Sequence, residues 1–132
     1  MKKFIVYTRA IPGCCRIGEA PSVVEVEGEM VAAVDDPSVG WLPSGEFKFK
    51  ILKPEFLYET HEIKLADGSR KKITVPPVYY SHAMYWTEIQ AMSVAERMVR
   101  ESLEFEVRKG RVESFSPEEL KAKCAEIQKV ML

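Results

Sequence analysis

Apolar positions recur with period two through much of the first eighty residues and with a period near 3.6 after Thr87, so the chain reads as strands first and helices last. Phe4-Ile5-Val6-Tyr7-Thr8 is a short apolar run that predicts an opening strand, and Pro12-Gly13 predicts a turn after it. Val23 to Val26 and Met30 to Val34 predict a hairpin or two close strands, with Gly28 as the corner. Asp35-Asp36-Pro37 breaks that pattern, and the loop Gly40-Trp41-Leu42-Pro43-Ser44-Gly45 follows. In Glu46 to Ile51 the alternation is strict. It puts Phe47, Phe49 and Ile51 on one face of a strand and Lys48 and Lys50 on the other.

The segment Tyr58 to Val75 predicts a hairpin around Ala66-Asp67-Gly68. If Ile63 and Leu65 are to share a face with Ile73 and Val75, opposed residue numbers must have an even sum. A three-residue loop with Gly68 in the left-handed region supplies this and sets Glu62 opposite Lys72. A two-residue loop would split the apolar residues between the faces. Pro76-Pro77 ends the strand, and the aromatic-rich segment Val78 to Trp86 reads as a final strand or the approach to a helix.

Thr87-Glu88-Ile89-Gln90 has capping-box spacing and predicts a helix start. Ile89, Met92, Ala95, Val99 and Leu103 form the expected inner stripe, widened by Val94, Met98 and Ser102. The outer face offers Arg97 to Glu101, Arg100 to Glu104 and Glu104 to Arg108 at spacing four. Gly110 is the natural cap at the helix end. Ser116-Pro117-Glu118-Glu119 starts a second helix, with Leu120, Cys124, Ile127 and Met131 on one helical face. The expectation is one α+β domain over residues 1–132, an antiparallel β-sheet spanning about residues 3–80 followed by two C-terminal α-helices.

Composition leaves this picture in place. With 132 residues, 46% apolar and 30% charged, the chain is large and apolar enough to bury a core unaided. The apolar run near the start is too short for a signal peptide, and no stretch approaches the roughly 20 apolar residues of a membrane span, so a cytoplasmic protein is expected. Three cysteines, two of them adjacent, do not make a disulfide framework. Without Cys-x-x-Cys or His-x-x-x-His spacing no metal site and no cofactor are expected. The net charge of −1 conceals blocks: Lys2, Lys3, Arg9 and Arg16 stand without an acid among them, and residues 17–46 hold Glu19, Glu25, Glu27, Glu29, Asp35, Asp36 and Glu46 without a base. Such blocks steer partners and do not decide the fold.

Candidate chemistry starts at Pro12-Gly13-Cys14-Cys15-Arg16. A cationic neighbour favours a thiolate, yet the Cys, five residues, Arg spacing of a phosphatase loop is missing, and a turn with a thiol turned into the core is the simpler reading. Cys124 sits on the inner stripe of the second helix and reads as core. His61 and His82 lack the serine elbow or aspartate spacing of a hydrolase. The alternating Glu25, Glu27 and Glu29 read as the wet side of a strand. Lys48 and Lys50 lie on the face opposite Phe47 and Phe49, and single-stranded nucleic acid needs cations and rings on one face, so nucleic acid is not an expected partner.

Two clusters remain. Tyr79, Tyr80, Tyr85 and Trp86 gather rings before the first helix, and Arg108-Lys109-Gly110-Arg111 sets three cations at the turn between the helices. Rings stack on a base and guanidinium forks hold a phosphate, so Arg16, Tyr80, Trp86, Arg108 and Arg111 are the candidate ligand-binding residues, with no catalytic residue among them. The same residue types are enriched at oligomer interfaces, and cations at a helix C-terminus also offset the helix dipole. The order of these elements, strands first, a helix over Thr87 to Val107, the turn Arg108 to Arg111 and a capped helix from Ser116, resembles that of a group of phage Thoeris anti-defence proteins. The resemblance is one of architecture. It implies an oligomer that sequesters a nucleotide-derived signal in a host cell's cytoplasm without cleaving it.

The expected function is therefore a non-enzymatic, self-associating module that binds a phosphorylated or nucleotide-like small molecule, with Met84, Met92, Met98 and Met131 adding adaptable contact area. The alternatives are a protein-binding inhibitor that uses the acidic block 25–36, and a small enzyme that uses Cys15 or a histidine.

Overall fold

A computed structural model describes residues 1–8, 20–31, 48–80 and 83–132. The fold is α+β. Strands β1 (Lys2–Tyr7), β2 (Ser22–Val31), β3 (Lys48–Lys53), β4 (Glu59–Lys64), β5 (Arg70–Val75) and β6 (Val78–Tyr80) precede helices α1 (Glu88–Arg108) and α2 (Pro117–Cys124), and a short strand β7 (Gln128–Val130) comes last. One sheet has the order β1-β2-β3-β6, with β7 also paired to β2, and β4 and β5 form a separate two-stranded sheet. The pairs β2–β3 and β3–β6 are antiparallel, whereas β2–β7 is parallel. The chain divides into two compact units, Met1–Lys2 with Val26–Met84 and Lys3–Glu25 with Tyr85–Leu132.

In the first unit the alternation in β3 buries Phe49 and Ile51 completely, beside buried Val26, Leu57 and Met84. Each such side chain contributes roughly 1.5–3 kcal/mol by leaving water. β2 is continuous through Gly28, so no hairpin turns there as the sequence had implied. Gly28 pairs with Ile51 at a register irregularity, and a Cβ on it would meet the Lys50 carbonyl oxygen at 2.1 Å and a Phe49 ring carbon at 2.7 Å. The glycine permits a close strand approach rather than a corner. The β4–β5 hairpin has the expected register, with Glu62 opposite Lys72 and a three-residue loop in which Gly68 has φ 88°. The Leu65 and Gly68 amides donate to the Ser69 and Leu65 carbonyls, and Asp67 accepts from the Ser69 amide at 2.9 Å. Bonds from Ser69 hold the Asp67 carboxyl below its ordinary pKa.

In the second unit Val23, Ala91, Ala95, Val99 and Ile127 form a buried cluster, with Phe4, Val6, Met92, Leu103, Leu120 and Cys124 packed against it. The expected stripe of α1 holds at Met92, Ala95, Val99 and Leu103 and fails only at its start, where Ala91 is fully buried and Ile89 is 82% exposed. Thr87 and Gln90 make the capping box in both directions, at 3.2 and 3.3 Å. At the other end Gly110, with φ 73°, lets the Gly110 and Arg111 amides donate to the Val107 and Glu106 carbonyls. Ser116 caps α2 with Pro117 in its first turn, but the helix stops at Cys124, short of the face drawn from Leu120 to Met131. Ile127 reaches the core from the following turn. Gln128–Val130 then pairs with Ser22–Val24, and a strand replaces the expected last helical turn.

Candidate functional site

Among the described residues of the first unit a hollow lies at the base of the β4–β5 hairpin. It encloses about 360 Å³ between Lys48, Glu59, His61, Val75, Pro76, Pro77, Val78 and Tyr80. Each wall follows from strand geometry. Glu59 and His61 are two apart on β4 and share a face, and Val75 stands directly across from Glu59. Lys48 is paired with Tyr80 across β3–β6, which brings the lysine Nζ to 5.7 Å from the ring centroid. Pro76 and Pro77 join β5 to β6 with fixed φ, and the Ile51 amide donates to the Pro77 carbonyl at 3.0 Å.

The polar groups are arranged rather than scattered. His61 Nε2 lies 3.2 Å from Glu59 Oε2. A carboxylate accepts only, so in this contact Nε2 carries the hydrogen and donates. The Lys48 ammonium stands within the range of a cation–π contact with Tyr80. One wall therefore offers a ring with a cation, another an imidazole held by a carboxylate, and prolines and valines supply the apolar remainder.

Four of the five residues singled out from the sequence are described, and within the second unit Trp86 and Arg108 stand far apart. Tyr80 lines this hollow in the first unit. Trp86, Arg108 and Arg111 belong to the second unit. Trp86 stands just before α1 and Arg108 ends it, and at 1.5 Å per residue the 21-residue helix is about 32 Å long, so one small ligand cannot touch both. Trp86 covers the buried Lys3, whose Nζ is 4.1 Å from the ring centroid and whose pKa is lowered by burial, and 63% of Trp86 remains exposed. Arg111 Nη1 donates to Glu106 Oε1 at 2.9 Å, and Lys109 lies 5.4 Å from the Phe105 ring centroid, so two of the three cations at the turn have local partners. Arg108 lines a different hollow, with Phe115.

Arg16, Cys14, Cys15, Trp41, Asp35, Asp36 and His82 lie outside the described residues. Cys124 packs against the core cluster, and burial, then the Glu96 carboxylate, pushes its thiol pKa up. Glu27 takes the Met1 ammonium at 2.9 Å, which holds its carboxyl below the ordinary value. Met84 is buried and adds nothing to a contact surface. Among the described residues no group of three His, Cys, Asp or Glu side chains is placed to hold a metal ion, and no helix is long and apolar enough to cross a membrane.

In the sequence His61 stands without a hydrolase pattern, and the alternation of β3 puts Lys48 on a basic face. What the sequence does not show is the pairing of Lys48 with Tyr80, a non-local register with no signal in either segment. The Pro76-Pro77 pair was the available clue that a fixed corner adjoins the hairpin. Comparison with protein-family models, with curated proteins and with solved structures returns no match.

Proposed function

We propose that this protein is a non-catalytic binding module for a small phosphorylated or nucleotide-like molecule, held in the hollow at the hairpin base. The observation that carries the reading is the joining in one hollow of a ring with a cation, Tyr80 with Lys48, and an imidazole oriented by Glu59. Lys48 supplies a compact charge for phosphate and His61 a second donor, and the Tyr80 ring with the two prolines offers flat apolar surface to a base. A volume of about 360 Å³ falls at the small end of the roughly 300–1,000 Å³ typical of ligand sites, a size that suits a nucleoside phosphate. Self-association belongs to the same reading.

The test is calorimetric titration with AMP and ADP, with inorganic phosphate as the minimal probe, against the protein and its Lys48→Ala and Tyr80→Phe variants. Lys48→Ala is expected to weaken nucleotide binding at least about tenfold, equivalent to about 1.4 kcal/mol, while Tyr80→Phe keeps the ring and most of the affinity. Nucleotide recovered unchanged after incubation is the expected state of the ligand. Absence of nucleotide binding, or equal affinity in Lys48→Ala, would overturn the assignment.

A further inference from the structure

The elbow between α1 and α2 holds a second hollow, of about 410 Å³, lined by Glu104, Val107, Arg108, Ser114 and Phe115. Its described lining belongs to the second unit and has different chemistry. Glu104 and Arg108 are four residues apart on one helix face, a spacing at which opposite charges ordinarily pair. Elsewhere along the same helix Arg97 and Glu101 do so, at 3.9 Å, and Arg111 takes Glu106 at 2.9 Å. Among the described residues the side chains of Glu104 and Arg108 have no ion-pair partner, each other included, and both line the elbow hollow. Val107 and Phe115 make the rest of the wall apolar, and Ser114 contributes a hydroxyl.

We propose that this elbow binds a small zwitterion, an α-amino acid with an apolar side chain. The Arg108 guanidinium has the planar fork that matches a carboxylate, and Glu104 accepts from an ammonium. One turn of helix separates the two charges, and the α-amino acid places its own two charges on a single carbon between them. Its side chain then lies against Phe115 and Val107, where burial removes apolar surface from water. A phosphate ester is disfavoured because the Glu104 carboxylate stands on the same hollow as Arg108 and repels a dianion. This assignment is independent of the hairpin site and carries its own charge balance, one acid against one base.

The experiment is titration of the intact, isotope-labelled chain with L-leucine, N-acetyl-L-leucine, L-leucinamide and inorganic phosphate, read from the amide signals of Val107, Ser114 and Phe115. L-Leucine is expected to shift these signals, and masking either its amine or its carboxyl weakens binding at least about tenfold. Glu104→Gln abolishes the discrimination against N-acetyl-L-leucine and retains that against L-leucinamide, and Arg108→Gln does the reverse. Both side chains are exposed, so helical circular dichroism stays unchanged in the variants. Lys48→Ala leaves the leucine response intact even if nucleotide binding is lost, which separates the two sites. Equal binding of free and masked leucine, tighter binding of phosphate than of leucine at the elbow, or no shift at about 10 mM leucine would overturn the proposal.

Discussion

At Gly28 a missing side chain sets how closely two strands approach. In most strand interiors an alanine is preferred to glycine by roughly 0.5–1 kcal/mol, because glycine gives up more backbone freedom on folding. Here the gain is outweighed: a Cβ would stand 2.1 Å from a backbone oxygen and 2.7 Å from a completely buried ring, and neither neighbour is a flexible side-chain tip. Gly28→Ala is expected to destabilise by about 3 kcal/mol, the upper part of the range for overpacking, and to lower the midpoint of thermal unfolding by on the order of 10 °C. An unchanged or raised midpoint would show that β2 and β3 separate without cost. The glycine itself was legible in the sequence. Its role was not, because a corner and a close approach both call for glycine and only the partner strand distinguishes them.

The elements were legible wherever their signals are local. The capping box at Thr87, the glycine cap at Gly110, the Ser-Pro start at Ser116 and the three-residue hairpin loop all rest on contacts within a few residues, and the structure has each. What was misread depends on distant partners. α2 yields to β7 because Gln128–Val130 finds Ser22–Val24, a pairing with no local signature, and α1 turns Ala91 rather than Ile89 inward because a small side chain fits against Val23. The cap of α1 gives a direct test. Thr87→Ala removes the acceptor for the Gln90 amide and should cost about 1 kcal/mol in a denaturant midpoint, whereas Thr87→Ser should cost only a few tenths. Equal losses in the two variants would mean that the threonine methyl, and not its hydroxyl, holds the helix start.

For the molecule as a whole, the net charge of −1 is a balance of acidic and basic blocks, so partners are chosen by local surface rather than by the overall charge. Among the described residues the largest apolar exposure is concentrated at the start of α1, where Ile89 is 82% and Trp86 63% exposed. Met92, which packs partly on the core, lines a shallow hollow there together with Ile89 and Lys129, and Lys129 in turn pairs with Glu88 at 2.8 Å. A tryptophan and an isoleucine rimmed by an ion pair is the composition of an interface centre with a polar border, since large aromatic anchors carry most of the energy of such contacts. The proposed self-association should therefore run through this surface, with mass in sedimentation equilibrium rising with protein concentration. Ile89→Lys, a change at a position that contributes almost nothing to the core, should return the chain to a monomer without lowering its unfolding midpoint. A protein that is monomeric at all concentrations would remove self-association from the reading, and an oligomer indifferent to Ile89→Lys would move the contact elsewhere. In either case binding at the hairpin base and at the elbow stands or falls separately, because neither hollow includes Trp86 or Ile89.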